Sequence, residues 1–278
     1  MPELPEVETI AQDLNRCIAG RTISQVLVSF QKIVASDYDS FSRLLEDRVI
    51  EKVGRLGKWV RFDLDSGAGL LAHLKMTGQF LIGDWPGSLD GPWPPHARAA
   101  FLLTGKGLKD ETLFYRDIRK FGRLRAFSQS ELTDFLQSLG LGPDPFELEA
   151  PQFHRILTAK KGQLKAVLLD QAVVSGLGNI YADETLFAAN LLPTRAASDL
   201  SPAESTELLT QIKRILTNSI KLRGSTVENY QGLDGPGSYQ DQHQVYGKSG
   251  RACPQCGQLL LKTIIGGRST VFCPFCQK

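Results

Sequence analysis

The sequence predicts an α+β protein: an N-terminal helix and a β-sandwich domain, followed by a helical domain that ends in a cysteine-bearing β-hairpin. Three observations carry this. Apolar residues recur at helical spacing at the start of the chain and again in its second half. Between those stretches, short β-rich runs are punctuated by glycine and proline. The tail holds two Cys-x-x-Cys pairs.

The first helix opens at Pro2 and Pro5 with Glu3 and Glu6, and carries Leu4, Val7, Ile10, Ala11, Leu14 and Ile18 on one face until Gly20 stops it. From Thr22 to Phe127 the pattern turns to strands such as Ile23–Phe30, Trp59–Leu64, Leu70–Leu74 and Thr112–Tyr115. The Gly83–Pro95 segment, with Trp85, Trp93 and four prolines, is expected as an irregular loop between strands. After Pro145 the chain becomes helical, through Phe153–Thr158, Leu164–Gln171 and Ile180–Ala189, and then a helix capped by Ser201. There Ser201-Pro202-Ala203-Glu204 combines an N-cap serine, a first-turn proline and a capping-box glutamate. Arg223-Gly224-Ser225 ends that helix, and five glycines in residues 231–250 read as a mobile loop. The expected domains are 1–135, 136–240 and 241–278.

The chain has 278 residues, 42% of them hydrophobic, enough for two domains and a small third module. No apolar run approaches the roughly 18 residues a membrane helix needs, and the N-terminus is too acidic for a signal peptide. A cytoplasmic protein is therefore expected, where reducing conditions make paired cysteines metal ligands before disulfides. Charge is unevenly spread. Residues 1–150 carry 18 Lys and Arg against 21 Asp and Glu, whereas residues 151–278 carry 14 against 9. Within the acidic half, Arg116, Arg119, Lys120, Arg123 and Arg125 fall in ten residues with only Asp117 opposing them. Such a cluster suits a polyanion, and also the solvated face of a strand.

Cys253, Cys256, Cys273 and Cys276 form two pairs separated by sixteen residues, a spacing at which two tight turns place four thiolates around one Zn2+. Four protein ligands leave no open position, so this zinc is structural. Strands at Leu259–Ile265 and Ser269–Phe272 would meet at Gly266-Gly267, with Arg268 projecting from the tip. Cys17 lies far from the set and is expected as a packed thiol.

The opening Pro2-Glu3-Leu4-Pro5-Glu6-Val7-Glu8-Thr9 resembles the start of the bacterial formamidopyrimidine-DNA glycosylase family, whose members remove oxidised purines from DNA. Further blocks resemble that family in order. They are Lys58, His73-Leu74-Lys75-Met76-Thr77-Gly78, Asp117-Ile118-Arg119-Lys120-Phe121-Gly122, Gly176-Leu177-Gly178-Asn179-Ile180-Tyr181, Gln244-Val245-Tyr246-Gly247 and the zinc module. The resemblance covers essentially the whole chain. It makes the helical domain a helix–two-turn–helix and implies action on duplex DNA containing oxidised bases; a monomer is expected.

The resemblance also implies roles. Once Met1 is removed, Pro2 presents a secondary amine; an α-amine has a pKa near 8 against about 10.4 for lysine, so at pH 7 roughly a tenth is neutral against roughly one lysine in 2,500. Attack on the sugar C1′ displaces the base and leaves an iminium that permits strand cleavage by β,δ-elimination. Glu3 matches the acid/base at the sugar and Glu6 a supporting carboxylate, while Lys58 and Arg268 match proton donors in the eliminations. Met76 and Phe121 match wedges that fill the gap left by an extruded base, and Arg119 matches the side chain that bonds the orphaned partner. His73, His96, Lys160, Asn179 and Tyr246 match further DNA contacts, with Lys161 and Lys165 adding charge near the Gly176–Asn179 turn. Gly232–Gly237 corresponds to a loop that covers the extruded base.

Each of these residues has a plainer reading. Carboxylates favour a helix N-terminus, a lysine beside a strand is commonly solvated, and Met76 and Phe121 could pack in a core. Where the family often has His-Asp-His, this chain has His96-Ala97-Arg98. The endonuclease VIII branch shares Pro2 and Glu3 and removes oxidised pyrimidines; Leu4-Pro5-Glu6, rather than a glycine there, favours the purine branch. A non-catalytic damaged-DNA-binding protein would keep the finger and basic helices, but would not need Pro2, Glu3, Lys58 and Arg268.

Overall fold

The computed structural model of the chain describes residues 1–105, 107–226, 232–233 and 235–278. Its first element, α1 (Leu4–Ile18), starts at a reciprocal capping box between Glu3 and Glu6 and buries Leu4, Val7, Ile10, Leu14 and Ile18. Asp13 is buried on the same helix, so α1 is covered on more than its apolar face. The chain then runs through β1 (Thr22–Val28), α2 (Tyr38–Leu45), β2 (Arg48–Leu56), β3 (Trp59–Leu64), β4 (Gly69–His73), β5 (Gly78–Gly83), β6 (Ala97–Thr104), β7 (Glu111–Asp117), β8 (Arg123–Phe127) and α3 (Gln129–Ser138).

The strands order as β5-β7-β6-β1-β2-β3-β4-β8, all antiparallel neighbours. Only two residue pairs, Thr22↔Val49 and Ile23↔Arg48, join the half ending in β1 to the half starting at β2. The halves fold over one core. Val26, Phe80, Phe101 and Leu113 from the first pack with Val60, Phe62, Leu70 and Leu124 from the second and with α1. The expected sandwich is thus observed. Its alternation is visible along β3, where Val60, Phe62 and Leu64 are buried and their neighbours are not.

The Gly83–Pro95 segment does connect β5 and β6. Trp85 and Trp93 pack on Ala97, Ala100, Phe114, Leu27 and Leu81, which alternate along their strands with the core residues and so lie on the opposite face. Two helices were not anticipated among the strands and after them. Helix α2 is eight residues long, with Asp37 accepting from the Ser40 amide. Helix α3 is announced by the capping box Ser128–Glu131, a local signal the strand-rich surroundings obscured.

The second half holds α4 (Ala150–Thr158), α5 (Leu164–Leu169), α6 (Asn179–Ala188) and α7 (Pro202–Lys221), then β9 (Leu261–Ile265) and β10 (Arg268–Phe272). The capping box of α7 forms as expected. Glu204 also takes both Arg195 guanidinium nitrogens at 2.5 and 3.0 Å, and those bonds hold its carboxyl down to about 2. Strands β9 and β10 pair from Arg268↔Ile265 to Phe272↔Leu261. Gly266 and Gly267 both have positive φ (55° and 71°), which the two-residue turn requires.

Two compact units result: Met1–Leu139 with Arg223–Gly237, and Gly140–Leu222 with Ser238–Lys278. Arg223 and Ser225, within the range expected for the helical domain, are grouped by contact with the first unit. Residue 234 of the expected base-covering loop, and residue 231 of the expected mobile loop, lie outside the described residues. Much of that mobile loop is in fact packed: Tyr239, His243 and Val245 are buried. No helix among the described residues is long and apolar enough to cross a membrane.

Candidate functional site

At the start of α1, Pro2, Glu3 and Glu6 are all buried. The Glu3 amide donates to Glu6 Oε2 at 2.8 Å, and the Ser225 amide donates to Glu6 Oε1, also at 2.8 Å. Both Glu6 oxygens are thus held by backbone donors, one from the helix start and one from the returning segment. Beside them Arg223 grips Asp13 with Nη2 at 2.5 Å and Nη1 at 3.2 Å. A charge pair therefore pins that segment about two turns further along α1. Lys58 lies buried at the β2–β3 turn. Burial, with the charges of Lys75 and Lys58, pushes the His73 imidazole down to about 3. His73 is therefore neutral at pH 7, and its Nδ1 accepts from the Lys75 amide at 3.0 Å.

Met76 and Phe121 are exposed, 36% and 50%, so the core-packing alternative fails for both. Arg119 lies between them: its Nη1 is 2.8 Å from the Met76 sulfur and its guanidinium carbon 4.8 Å from the Phe121 ring centre. Two turns, β4–β5 and β7–β8, meet to form this triplet. His96 is exposed nearby in sequence to β6, with φ of 66°. Of the basic run, Arg119, Lys120, Arg123 and Arg125 are exposed, and Arg125 stacks over Phe127 and Phe135.

In the second unit Asn179 opens α6 after Gly178, and Lys160 is exposed, 4.0 Å from Asp170. Lys165 corrects an expectation. It is fully buried, 2.7 Å from Asp183, and donates to the Ser269 carbonyl and the Thr270 hydroxyl at 2.8 Å each. Asp183 in turn accepts from the Val271 amide at 3.1 Å. Burial, set against the Lys165 ammonium, pushes the Asp183 carboxyl up to about 6. The pair thus anchors β10, whose first residue is the exposed Arg268. Glu184 takes three backbone amides, from Gln244, Val245 and Tyr246, at 2.8 to 2.9 Å. Burial nevertheless raises its pKa.

The four cysteine sulfurs of 253, 256, 273 and 276 lie within 4.8 Å of one another. Cys253–Cys276 is 3.9 Å and Cys256–Cys273 is 3.5 Å. A tetrahedron of thiolates at a Zn–S distance of about 2.3 Å has edges of about 3.8 Å, so the set fits one zinc. Cys17 packs against the first unit's core and takes no part.

Sequence reasoning missed Asp13, Arg223, Asp183 and Glu184. One signal was available: in residues 180–188 apolar side chains fall on every side of a helix, so two consecutive acids there could not both reach water.

Three family models match the chain. Residues 1–124 match the formamidopyrimidine-DNA glycosylase N-terminal domain, 139–231 the formamidopyrimidine-DNA glycosylase H2TH domain, and 250–278 the zinc finger found in FPG and IleRS. A formamidopyrimidine-DNA glycosylase of Streptococcus pyogenes is 40% identical over 283 aligned positions, covering 100% of this chain and 99% of the relative. One from Bacillus cereus is 38% identical with the same coverage. Among solved structures, the MutM (FPG) protein of Thermus thermophilus superposes with a TM-score of 0.86 at 39% identity, covering 99% of this chain and 98% of its own. A Lactococcus lactis FPG variant in complex with Fapy-dG-containing DNA gives 0.90 at 32% identity, with 100% of both chains covered.

Proposed function

The chain belongs to the formamidopyrimidine-DNA glycosylase family, and from that premise we propose that it excises oxidised purines, 8-oxoguanine and formamidopyrimidines, from duplex DNA and cleaves the strand at the vacated site. The observation that carries the reading is the buried N-terminal constellation, in which Glu6 is bonded by the Glu3 and Ser225 amides. Such a fixed acceptor holds the start of α1 in place beside Pro2 and Glu3. Solved relatives in complex with DNA that contains Fapy-dG or carbocyclic 8-oxo-G support the choice of substrate.

Removal of Met1 exposes the Pro2 amine. The nitrogen attacks the sugar C1′ as the C1′–base bond breaks, and the departing base takes up a proton. Glu3 handles the protons at the sugar as the ring opens to the iminium. That cation acidifies the C2′ proton, whose loss expels the 3′ phosphate; a second elimination expels the 5′ phosphate. Lys58 and Arg268 supply protons in these steps. When bound, zinc supplies shape alone, because its four thiolates leave no position for water or substrate.

Extruding the base leaves a hole in the stack. Met76 and Phe121 fill it, and Arg119, a donor-only side chain, suits the acceptor-rich edge of an unpaired cytosine and penalises adenine. His73, His96, Lys160, Asn179 and Tyr246 hold the surrounding backbone, largely without sequence preference. The protein acts in the cytoplasm, on the nucleoid.

Borohydride trapping tests this. The protein should form a covalent adduct with an 8-oxoguanine duplex, and Pro2→Gly should not. Absence of any adduct ends the enzyme reading, and trapping chiefly on an oxidised pyrimidine would move the chain to the endonuclease VIII branch.

A further inference from the structure

We propose that Asp117 is the positioning residue that holds the gap-filling side chains in place before DNA arrives; this rests on the role given above to Met76, Arg119 and Phe121. Asp117 ends β7 and is fully buried. It bonds in four directions. One carboxylate oxygen accepts from the Thr77 hydroxyl, and the other accepts from the Gly122 amide at 2.7 Å. Its own amide donates to the His96 carbonyl at 3.0 Å, and its carbonyl accepts from Arg98 Nε at 3.0 Å. Thr77 passes the constraint on, since its oxygen accepts from the Arg119 amide at 3.0 Å. Met76 precedes Thr77 and Phe121 precedes Gly122 in the chain. The carboxylate thus ties the segments carrying Met76, Arg119 and Phe121, and the backbone of the same residue ties the segment carrying His96.

A second observation points the same way. Each of the three tied segments contains a non-glycine residue in the left-handed region: Lys75 (φ 52°), His96 (φ 66°) and Lys120 (φ 60°). Such conformations persist only where the surroundings over-determine them. Gly122 adds a close approach, because a Cβ there would overlap the Tyr115 hydroxyl. Arg98, in the His96-Ala97-Arg98 run, adds a bond to Asp117 and places its guanidinium 5.9 Å from the Phe30 ring, against which Lys120 Nζ lies at 4.7 Å.

The consequence is kinetic. Loops ordered in advance need not be ordered as they enter the duplex, so the cost of fixing them does not fall on insertion. The carboxylate is required chemically, because both its oxygens face donors. An asparagine of the same shape would turn an NH2 towards one of them.

The test follows 2-aminopurine fluorescence opposite a stable tetrahydrofuran abasic analogue, at saturating full-length protein with zinc bound. Asp117→Asn and Thr77→Val should each slow insertion by about tenfold or more, the size expected for one hydrogen bond to a charged group. Thr77→Ser, which keeps the hydroxyl, should restore it and melt close to wild type, while Thr77→Val should stay folded at the assay temperature. The slow variants should also lose preference for cytosine over adenine opposite the lesion. Insertion at the wild-type rate in Asp117→Asn and Thr77→Val would overturn the proposal, as would a Thr77→Ser as slow as Thr77→Val. The fluorescence signal needs no catalysis. A wild type that inserts but excises nothing would end the glycosylase reading, and insertion would still decide the role of Asp117.

Discussion

Arg119 and Arg268 are both exposed cations on short turns, and the two turns are held by different means. The Arg119 turn contains a strained Lys120 and is fixed by hydrogen bonds from a buried aspartate to backbone and hydroxyl donors. The Arg268 turn is unstrained, since glycines occupy its left-handed positions. It is held instead by the four-cysteine site and by the buried Lys165–Asp183 pair. The reason is the size of what lies beneath. Under the first turn is the large core of the sandwich, with Leu74, Phe80 and Tyr115 buried in it. The hairpin has a small cluster of Phe187, Val245, Cys253, Leu260, Val271 and Cys273, two of which are metal ligands. A module with so little apolar area takes its folding energy from metal.

Zinc removal is the harshest test of that contrast. Chelation, or Cys273→Ser, should abolish amide protection in β9 and β10 while the β1–β8 sheet keeps its own. Binding of duplex containing the abasic analogue, read by anisotropy, should fall by about two orders of magnitude or more, given the roughly 10–16 kcal/mol that structural zinc contributes in comparable modules. A stripped protein that nicks DNA normally would show the hairpin is dispensable.

The ion pair should come next. Lys165→Met leaves Asp183 buried without its partner and should cost about 3–5 kcal/mol in urea unfolding. Lys165→Met with Asp183→Leu should recover much of that loss, because neither charge is then buried. Equal losses in the single and double variants would mean that packing around the lysine stem matters, not charge.

Acid sensitivity compares the two units directly. Burial, with neighbouring lysines, pushes His73 down to about 3 and His243 down to about 4. Both are neutral when folded and protonate first in the unfolded chain, near pH 6.5. Their contribution is therefore complete above pH 6.5 and is lost as pH falls towards 4 and then 3. Asp183, raised to about 6, works in the opposite sense between pH 6 and its unfolded value near 4. Urea midpoints should fall with acidification, and His73→Gln with His243→Gln should flatten the profile. The smallest effect is expected at Arg98→Met, which removes one hydrogen bond to Asp117 and should cost about 1 kcal/mol of stability.

What could be read in the sequence was local or repetitive. The two Cys-x-x-Cys pairs, the Ser201–Glu204 box, the Gly266-Gly267 turn and the period-2 run of β3 lie within a few residues of each other, so their geometry follows from spacing alone. The buried charges could not be read in this way. Arg223 meets Asp13 across 210 positions, Ser225 meets Glu6 across 219, and Lys165 meets Thr270 across 105. Lys165 was expected among surface cations for this reason, and residues 223–237 among the helices they follow.

Sequence by itself therefore determined the fold class, the zinc ligands, the Ser201 helix cap and the candidate residues Pro2, Glu3, Lys58, Arg119 and Arg268. Only tertiary structure decided that Met76 and Phe121 face solvent beside Arg119, that Glu6 and Asp117 work as fixed acceptors, and that Lys165 is an anchor. A side chain's type states what it can bond, but its burial and its partner depend on which distant segment folds over it.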